Sequence, residues 1–129
     1  MASLPTGDHR VKLQEDQWAD RHTPNSRLLF RFSAVTFNTH RIHFDQPYAT
    51  AHEGYPALVV QGPLTALLVA ESIRRTCEKD LVRFEFRAIA PLFVDSTFTI
   101  VGSPSAEISA EVFRNDGVKA MEVVAELDS

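Results

Sequence analysis

Apolar and polar positions alternate along the second part of the chain in the runs LVRFEFRAIA, FVDSTFTIVG, AEISAEVFR and VKAMEVVAEL, divided by Pro91, by Gly102-Ser103-Pro104 and by Asn115-Asp116-Gly117. Period-two patterning bounded by turn residues predicts strands. In the first run Val82, Phe84, Phe86 and Ala88 share one face while Arg83, Glu85 and Arg87 share the other, as in a sheet with one buried side. Asn115-Asp116-Gly117 predicts a hairpin between the last two runs. Before them, Gly62-Pro63 opens a helix to about Thr76, whose first turns, LTALLVA, are apolar on nearly every side, with Glu71, Arg74 and Arg75 at its polar end. Such a helix requires protein all around it.

Further upstream, Leu28, Leu29, Phe32 and Val35 keep helical spacing from Ser26, although Leu28, Phe30, Phe32 and Ala34 also alternate. A helix is favoured because Asn25 and Ser26 can cap it and Pro24 sits just outside. Residues 46–50 read as a short helix, with Asp45 as N-cap and Pro47 in the first turn. Residues 1–26 form a polar lead-in whose candidate strand is Val11–Trp18. An antiparallel sheet with one apolar face and one apolar helix combine most economically when the sheet wraps the helix, an α+β hot-dog architecture in a single domain over residues 1–129. So curved a sheet leaves an edge strand unpaired, and pairing edges between subunits is a physical reason to expect a homodimer or higher homo-oligomer.

Composition narrows the function classes. The chain has 129 residues, 44% of them hydrophobic, and a formal net charge of -4 without a basic stripe, which argues against a nucleic-acid partner. The apolar run from Ala57 to Ala70 is too short for a membrane span and is broken by Gln61, Gly62 and Pro63. MASLPTGDHR shows no secretory pattern, and the lone Cys77 fits a reducing compartment, so a cytoplasmic location is expected.

The polar segment TFNTHRIHFD, residues 36–45, holds the candidate chemistry. His40, His43 and Asp45 are each possible metal ligands, yet no HExxH, cysteine cluster or further carboxylate motif accompanies them, so no metal is expected. Hydrogen-bonded turn residues, with Asp45 as a cap, account for the same pattern.

The longer stretch FSAVTFNTHRIHFDQPYATAHEGYPALVVQGPLTALL resembles the signature of MaoC-like hydratases and dehydratases, in the branch of mesaconyl-CoA and itaconyl-CoA hydratases and 3-hydroxyacyl-thioester dehydratases. The resemblance runs from about Leu28 to Arg75, with FRAIAPLF at Phe86–Phe93 as a further family-like piece, and that family has the hot-dog fold. In the broader family the signature resembles Gly-Asp-x-Asn-Pro-x-His-x-Asp, whose first aspartate and histidine form the catalytic pair. The histidine falls on His43, the later aspartate on Asp45, the catalytic aspartate on Asn38 and the asparagine on His40. A carboxamide orients water but takes no proton, so the usual acid/base pair is altered in a way that resembles this branch.

The resemblance implies a hydro-lyase that adds water reversibly to an enoyl thioester on CoA or a carrier protein, without a cofactor. It makes His43 the base, Asn38 the orienting group and His40 the rival base, and gives Gly62 an N–H for the thioester oxygen, where the helix N-terminus is suited to developing negative charge. Gln61 stands where the family often has histidine, and Tyr55 and Trp18 are candidates for an acyl pocket or for packing. Arg83 and Arg87 suit CoA phosphates or, more simply, a solvated face. A thioesterase using Glu53 or Glu71 as base is one alternative. Another is a non-catalytic, thioester-binding half that completes a partner's site, since many relatives carry this signature in the second half of a double hot-dog chain. A heterodimer with another hot-dog chain is the corresponding assembly.

Overall fold

The computed structural model describes residues 11–105 and 107–128; the first ten residues of the lead-in and Ala106 of the third strand-like run lie outside them. Five strands and three α-helices follow the order β1 (Trp18–His22), α1 (Ser26–Thr36), α2 (Gln46–Ala51), α3 (Gly62–Cys77), β2 (Leu81–Ala88), β3 (Phe98–Ser103), β4 (Ile108–Arg114) and β5 (Lys119–Leu127). A single 3-10 turn, Arg41–His43, lies between α1 and α2. All neighbouring strands are antiparallel, in the order β1-β3-β4-β5-β2.

Register explains the core. Ile100 pairs with Val112 and Val112 with Met121, while Ala110 pairs with Val123 and Ile108 with Ala125, so apolar side chains run in rows across one face of the sheet. These residues are buried, as are Leu64, Val69 and Ile73 of α3. The helix therefore lies in the concave side of the sheet, as the hot-dog architecture requires.

Local chemistry fixes the helix boundaries. Asn25 Oδ1 accepts the Leu28 N–H and caps α1, and Asp45 Oδ1 accepts the Tyr48 N–H and caps α2. At the end of α1, Phe37 takes φ 55° and the Asn38 N–H turns back to the Ser33 carbonyl at 2.9 Å, a Schellman-type closure. The hairpin at 115–117 has Gly117 at φ 88° and Arg114 N–H donating to the Val118 carbonyl.

Three features differ from the sequence reading. The first strand is Trp18–His22 rather than Val11–Trp18, because residues 14–17 form a turn and Trp18 is where pairing with β3 begins. Opposite it stands Gly102, where a Cβ would come within 2.1 Å of the Trp18 ring, so glycine there makes room for the indole. The indole N–H donates to Ser72 Oγ on α3 at 2.9 Å, and that hydroxyl in turn donates to Asp20, so Trp18 fastens β1 to the helix and is a packing residue. The second run becomes a strand only at Phe98: Val94 and Asp95 donate their N–H groups to the Leu58 and Pro24 carbonyls instead, and Asp95 takes φ 60°. Finally, α3 is not enclosed by the described residues: Leu67 is 59% exposed, and its flank faces an apolar groove formed with Phe32, Leu81, Phe84 and Phe86.

Candidate active site

The N-terminal end of α3, the 3-10 turn and the 88–92 segment line an open cavity of about 290 Å³. His43, Gly62 and Thr65 supply its polar or polarisable features, among apolar neighbours that include Val59, Ile89, Leu92 and Met121. The 88–92 segment is held there by Ile89 and Ala90 N–H groups that both reach the Ala120 carbonyl.

Val59 orients His43 from both sides. Its N–H donates to the Ile42 carbonyl at 2.9 Å, and its own carbonyl lies 2.6 Å from His43 Nδ1. A carbonyl only accepts, so Nδ1 carries the hydrogen and Nε2 is the basic nitrogen of the neutral ring. Burial lowers the His43 pKa from the ordinary 6.5; the Val59 hydrogen bond opposes this and the charge of nearby His40 adds to it. The His43 imidazole is thus held oriented, and its lowered pKa favours the neutral ring at neutral pH.

Gly62 is the first residue of α3, so its N–H has no partner within the helix. Its φ is not positive, and a Cβ built on it would meet no atom within 4 Å. Neither backbone strain nor crowding within the chain demands glycine at this position. What the missing side chain does provide is an open approach to the backbone N–H from the cavity.

The other sequence candidates are arranged around this core. Asn38 Oδ1 accepts the His40 N–H at 3.1 Å, which leaves the carboxamide nitrogen as its donor end. His40 is exposed, its ring centroid is 5.8 Å from that of His43, and its Nδ1 faces the Ile42 N–H at 3.4 Å. Neither lines the cavity. Gln61 is fully buried but turned toward α1, where Nε2 donates to the Leu29 carbonyl at 2.7 Å and Ser33 Oγ at 2.8 Å. Tyr55 packs at 6.3 Å from the Phe93 ring, also away from the cavity lining.

The thioesterase and metal alternatives find little here. Glu53 accepts from the Tyr48 hydroxyl, and Glu71 is paired with Arg74 and Arg75; neither lines the cavity. Asp45 is engaged by the α2 N-terminus and by Arg41, both of which lower its pKa. Among the described residues no three His, Cys, Asp or Glu side chains are grouped to hold a metal ion. Arg83 pairs with Glu107 and Glu126, and Arg87 with Glu122, as expected of a solvated sheet face.

Val59 and Thr65 were missed by residue-pattern reasoning. A backbone acceptor leaves no mark in the side-chain sequence, and Thr65 reads as one more position in an apolar helix. The 88–92 segment did leave a signal, the FRAIAPLF stretch.

This geometry coincides with a match of residues 3–94 to the family model for hydroxyacyl-thioester dehydratase type 2. The chain belongs to that family. As a member of it, the chain is 49% identical over 105 residues to the mesaconyl-C(4)-CoA hydratase of Chloroflexus aurantiacus, covering 81% of this chain and 38% of that relative. It is 38% identical over 117 residues to the mitochondrial hydroxyacyl-thioester dehydratase type 2 of Schizosaccharomyces pombe, covering 88% of this chain and 38% of that protein. The family member described here therefore spans well under half the length of these curated relatives. Its fold matches the (R)-hydratase from A. caviae with a TM-score of 0.79 at 16% identity, covering 87% of this chain and 94% of that one. A chain of the ChsH1-ChsH2 complex from Mycobacterium tuberculosis gives a TM-score of 0.72 at 16% identity, covering 85% and 91%. Among the described residues, no helix is long and apolar enough to cross a membrane.

Proposed function

We propose that this chain carries the catalytic machinery of an acyl-thioester hydratase/dehydratase. The observation that carries the reading is the Val59-held imidazole of His43 in one cavity with the unpaired N–H end of α3. In the hydration direction, a water oxygen attacks the β-carbon of an enoyl thioester while its proton passes to His43 Nε2. The resemblance gives Asn38 the role of orienting that water, although its side chain does not line the cavity here. The electron pair of the double bond moves onto the thioester oxygen, and Gly62 N–H stabilises the resulting enolate by about 3 kcal/mol, the scale of other oxyanion donors. The imidazolium then holds the proton that the α-carbon needs, and its return regenerates neutral His43. No electrons leave the substrate, so the chemistry requires no redox cofactor.

The apolar cavity and the named activities of the curated relatives favour a short or branched acyl chain delivered on CoA. The test is loss of enoyl-thioester absorbance with mesaconyl-CoA, itaconyl-CoA and crotonyl-CoA in turn. No change with any of them overturns the reading, and thiol release from saturated acyl-CoA favours the thioesterase instead.

The exposed flank of α3 supports a second part to the proposal: two copies pair through their β2 edges. Val82 is 62% and Phe86 44% exposed, and β2 ends the sheet with β5 as its neighbour. An antiparallel pairing centred on Phe84 sets Arg83 opposite Glu85 of the second copy and Val82 opposite Phe86 of the second copy. Centring on Glu85 would instead oppose like charges. Sedimentation should give twice the chain mass. A monomer that gains activity only with a second hot-dog chain would replace the homodimer with a heterodimer, the kind of assembly named for the ChsH1-ChsH2 neighbour.

A further inference from the structure

Five buried polar residues stand out in the described chain: Ser33, His43, Gln61, Thr65 and Ser72. His43 and Thr65 line the cavity, and Ser72 anchors β1. Ser33 and Gln61 do neither, yet they are bonded to each other and sit at the roots of both catalytic elements. Ser33 Oγ accepts from Gln61 Nε2 at 2.8 Å, and the Ser33 carbonyl accepts the Asn38 N–H at 2.9 Å. Gln61 is the residue whose peptide bond supplies the Gly62 N–H. One continuous path therefore runs from Asn38 through the Ser33 backbone and hydroxyl and the Gln61 side chain to Gly62.

We infer that Ser33 and Gln61 form a positioning unit that sets the separation between the Asn38–His43 segment and the Gly62 N–H. The inference rests on the catalytic reading proposed above. Simple packing is a poor account of Gln61, because its Oε1 is buried without a hydrogen-bond partner in the described structure. A leucine would fill comparable space without that desolvation cost. The donor end explains the amide: Nε2 gives hydrogens to both the Leu29 carbonyl and Ser33 Oγ. These bonds tie the first turn of α3 to the last two turns of α1, whose C-terminal closure begins the catalytic segment.

Steady-state kinetics of Gln61→Leu and Ser33→Ala, with folding checked by circular dichroism, test this directly. The expected result is a kcat about 10- to 100-fold lower, the scale of a misplaced reacting group, with KM within about twofold. Gln61→His, which keeps a ring N–H donor, should recover most of kcat. Gln61→Glu should give a distinct pH signature: its carboxyl donates when protonated and repels the Leu29 carbonyl when ionised, so its kcat relative to wild type rises as pH falls. Amide resonances provide a readout independent of turnover. In nitrogen-15 spectra, both Ser33→Ala and Gln61→Leu should shift the Asn38 and Gly62 signals together. A folded Gln61→Leu with unchanged kcat overturns the inference, as does movement of only one of the two amides. If wild type lacks hydratase activity, the catalytic reading fails, and the paired amide shifts alone decide whether the two elements are coupled.

Discussion

The two flanks of α3 are built to different standards of completion. On the cavity flank, polar groups are buried and directed: Val59 fixes the His43 tautomer, and Gln61 and Ser33 tie the helix start to α1. On the opposite flank, Leu67 and Phe86 face open groove and β2 carries no strand on its outer side among the described residues. The contrast teaches that a helix apolar on all sides need not be satisfied by its own sheet. One side is organised by hydrogen bonds within the chain, whereas the other leaves apolar surface in water among the described residues.

The largest expected effect breaks the cavity flank. His43→Ala removes the proposed base and should lower kcat about 100- to 10,000-fold, the range for a lost general acid/base, without moving the thermal midpoint far. Gly62→Ala is the companion test. Its added methyl meets no atom of the described residues within 4 Å, and alanine is the better helix former, so the fold should hold or gain slightly. Activity should nevertheless fall about tenfold or more because the methyl intrudes on the approach to the N–H. A fully active, well-folded Gly62→Ala would remove the oxyanion assignment while leaving the His43 assignment standing.

Next in size is an attack on the open flank. Phe86→Arg places a charge in the groove and should convert a dimer to monomer in sedimentation, by about 10-fold or more in Kd, because a charge cannot be buried there without a partner. Phe86 does not line the cavity, so an isolated monomer that keeps its circular dichroism spectrum would separate the two flanks cleanly. A dimer unaffected by Phe86→Arg would place the interface elsewhere.

A smaller effect appears in pH dependence. The folded pKa of His43 lies below its ordinary 6.5, so catalysis should persist below that pH and fail as the imidazole charges. The sign for stability is related: the unfolded chain takes up the proton first, so stability falls as pH drops from about 6.5 through the lowered folded value. His22, also lowered chiefly by burial, acts in the same direction. Because His40 charge contributes to the lowering of His43, His40→Ala should move the acid limb of the kcat profile upward. If His40→Ala abolishes turnover instead, the exposed histidine is the principal base.

How far the molecule was legible depended on where each determinant is written. Asp45 and Asn25 act through side-chain caps and Pro63 through its fixed backbone angle, all within a few residues, and the helix starts follow them. The sheet pattern was legible because Ile108, Ala110 and Val112 alternate with polar neighbours. Determinants that need a distant partner were not. The first strand begins where Trp18 meets Gly102, 84 residues away in sequence, and nothing near Val11 encodes that meeting. Likewise, the motif named His43 but not its tautomer, which depends on a carbonyl at Val59. Gln61 was marked by its place before Gly62, while the direction of its amide depended on α1.

The smallest expected effect probes support beneath the cavity flank. Asp45 caps α2 through Tyr48 N–H and also holds Arg41 at the start of the 3-10 turn, with both partners lowering its pKa. It is a surface cap rather than a reacting group, so Asp45→Ala should cost the modest stability typical of a lost N-cap. For a domain of this size that corresponds to a thermal midpoint a few degrees lower. Asp45→Asn and Asp45→Ser, which retain a capping oxygen, should recover most of the loss. Because Val59 holds His43 independently of this cap, kcat should change by less than about threefold in all three variants, below the range for a lost acid/base. A much larger kcat loss with an unchanged midpoint would move Asp45 out of the scaffold and into the chemistry, and the metal or acid/base role its spacing first suggested would have to be reopened.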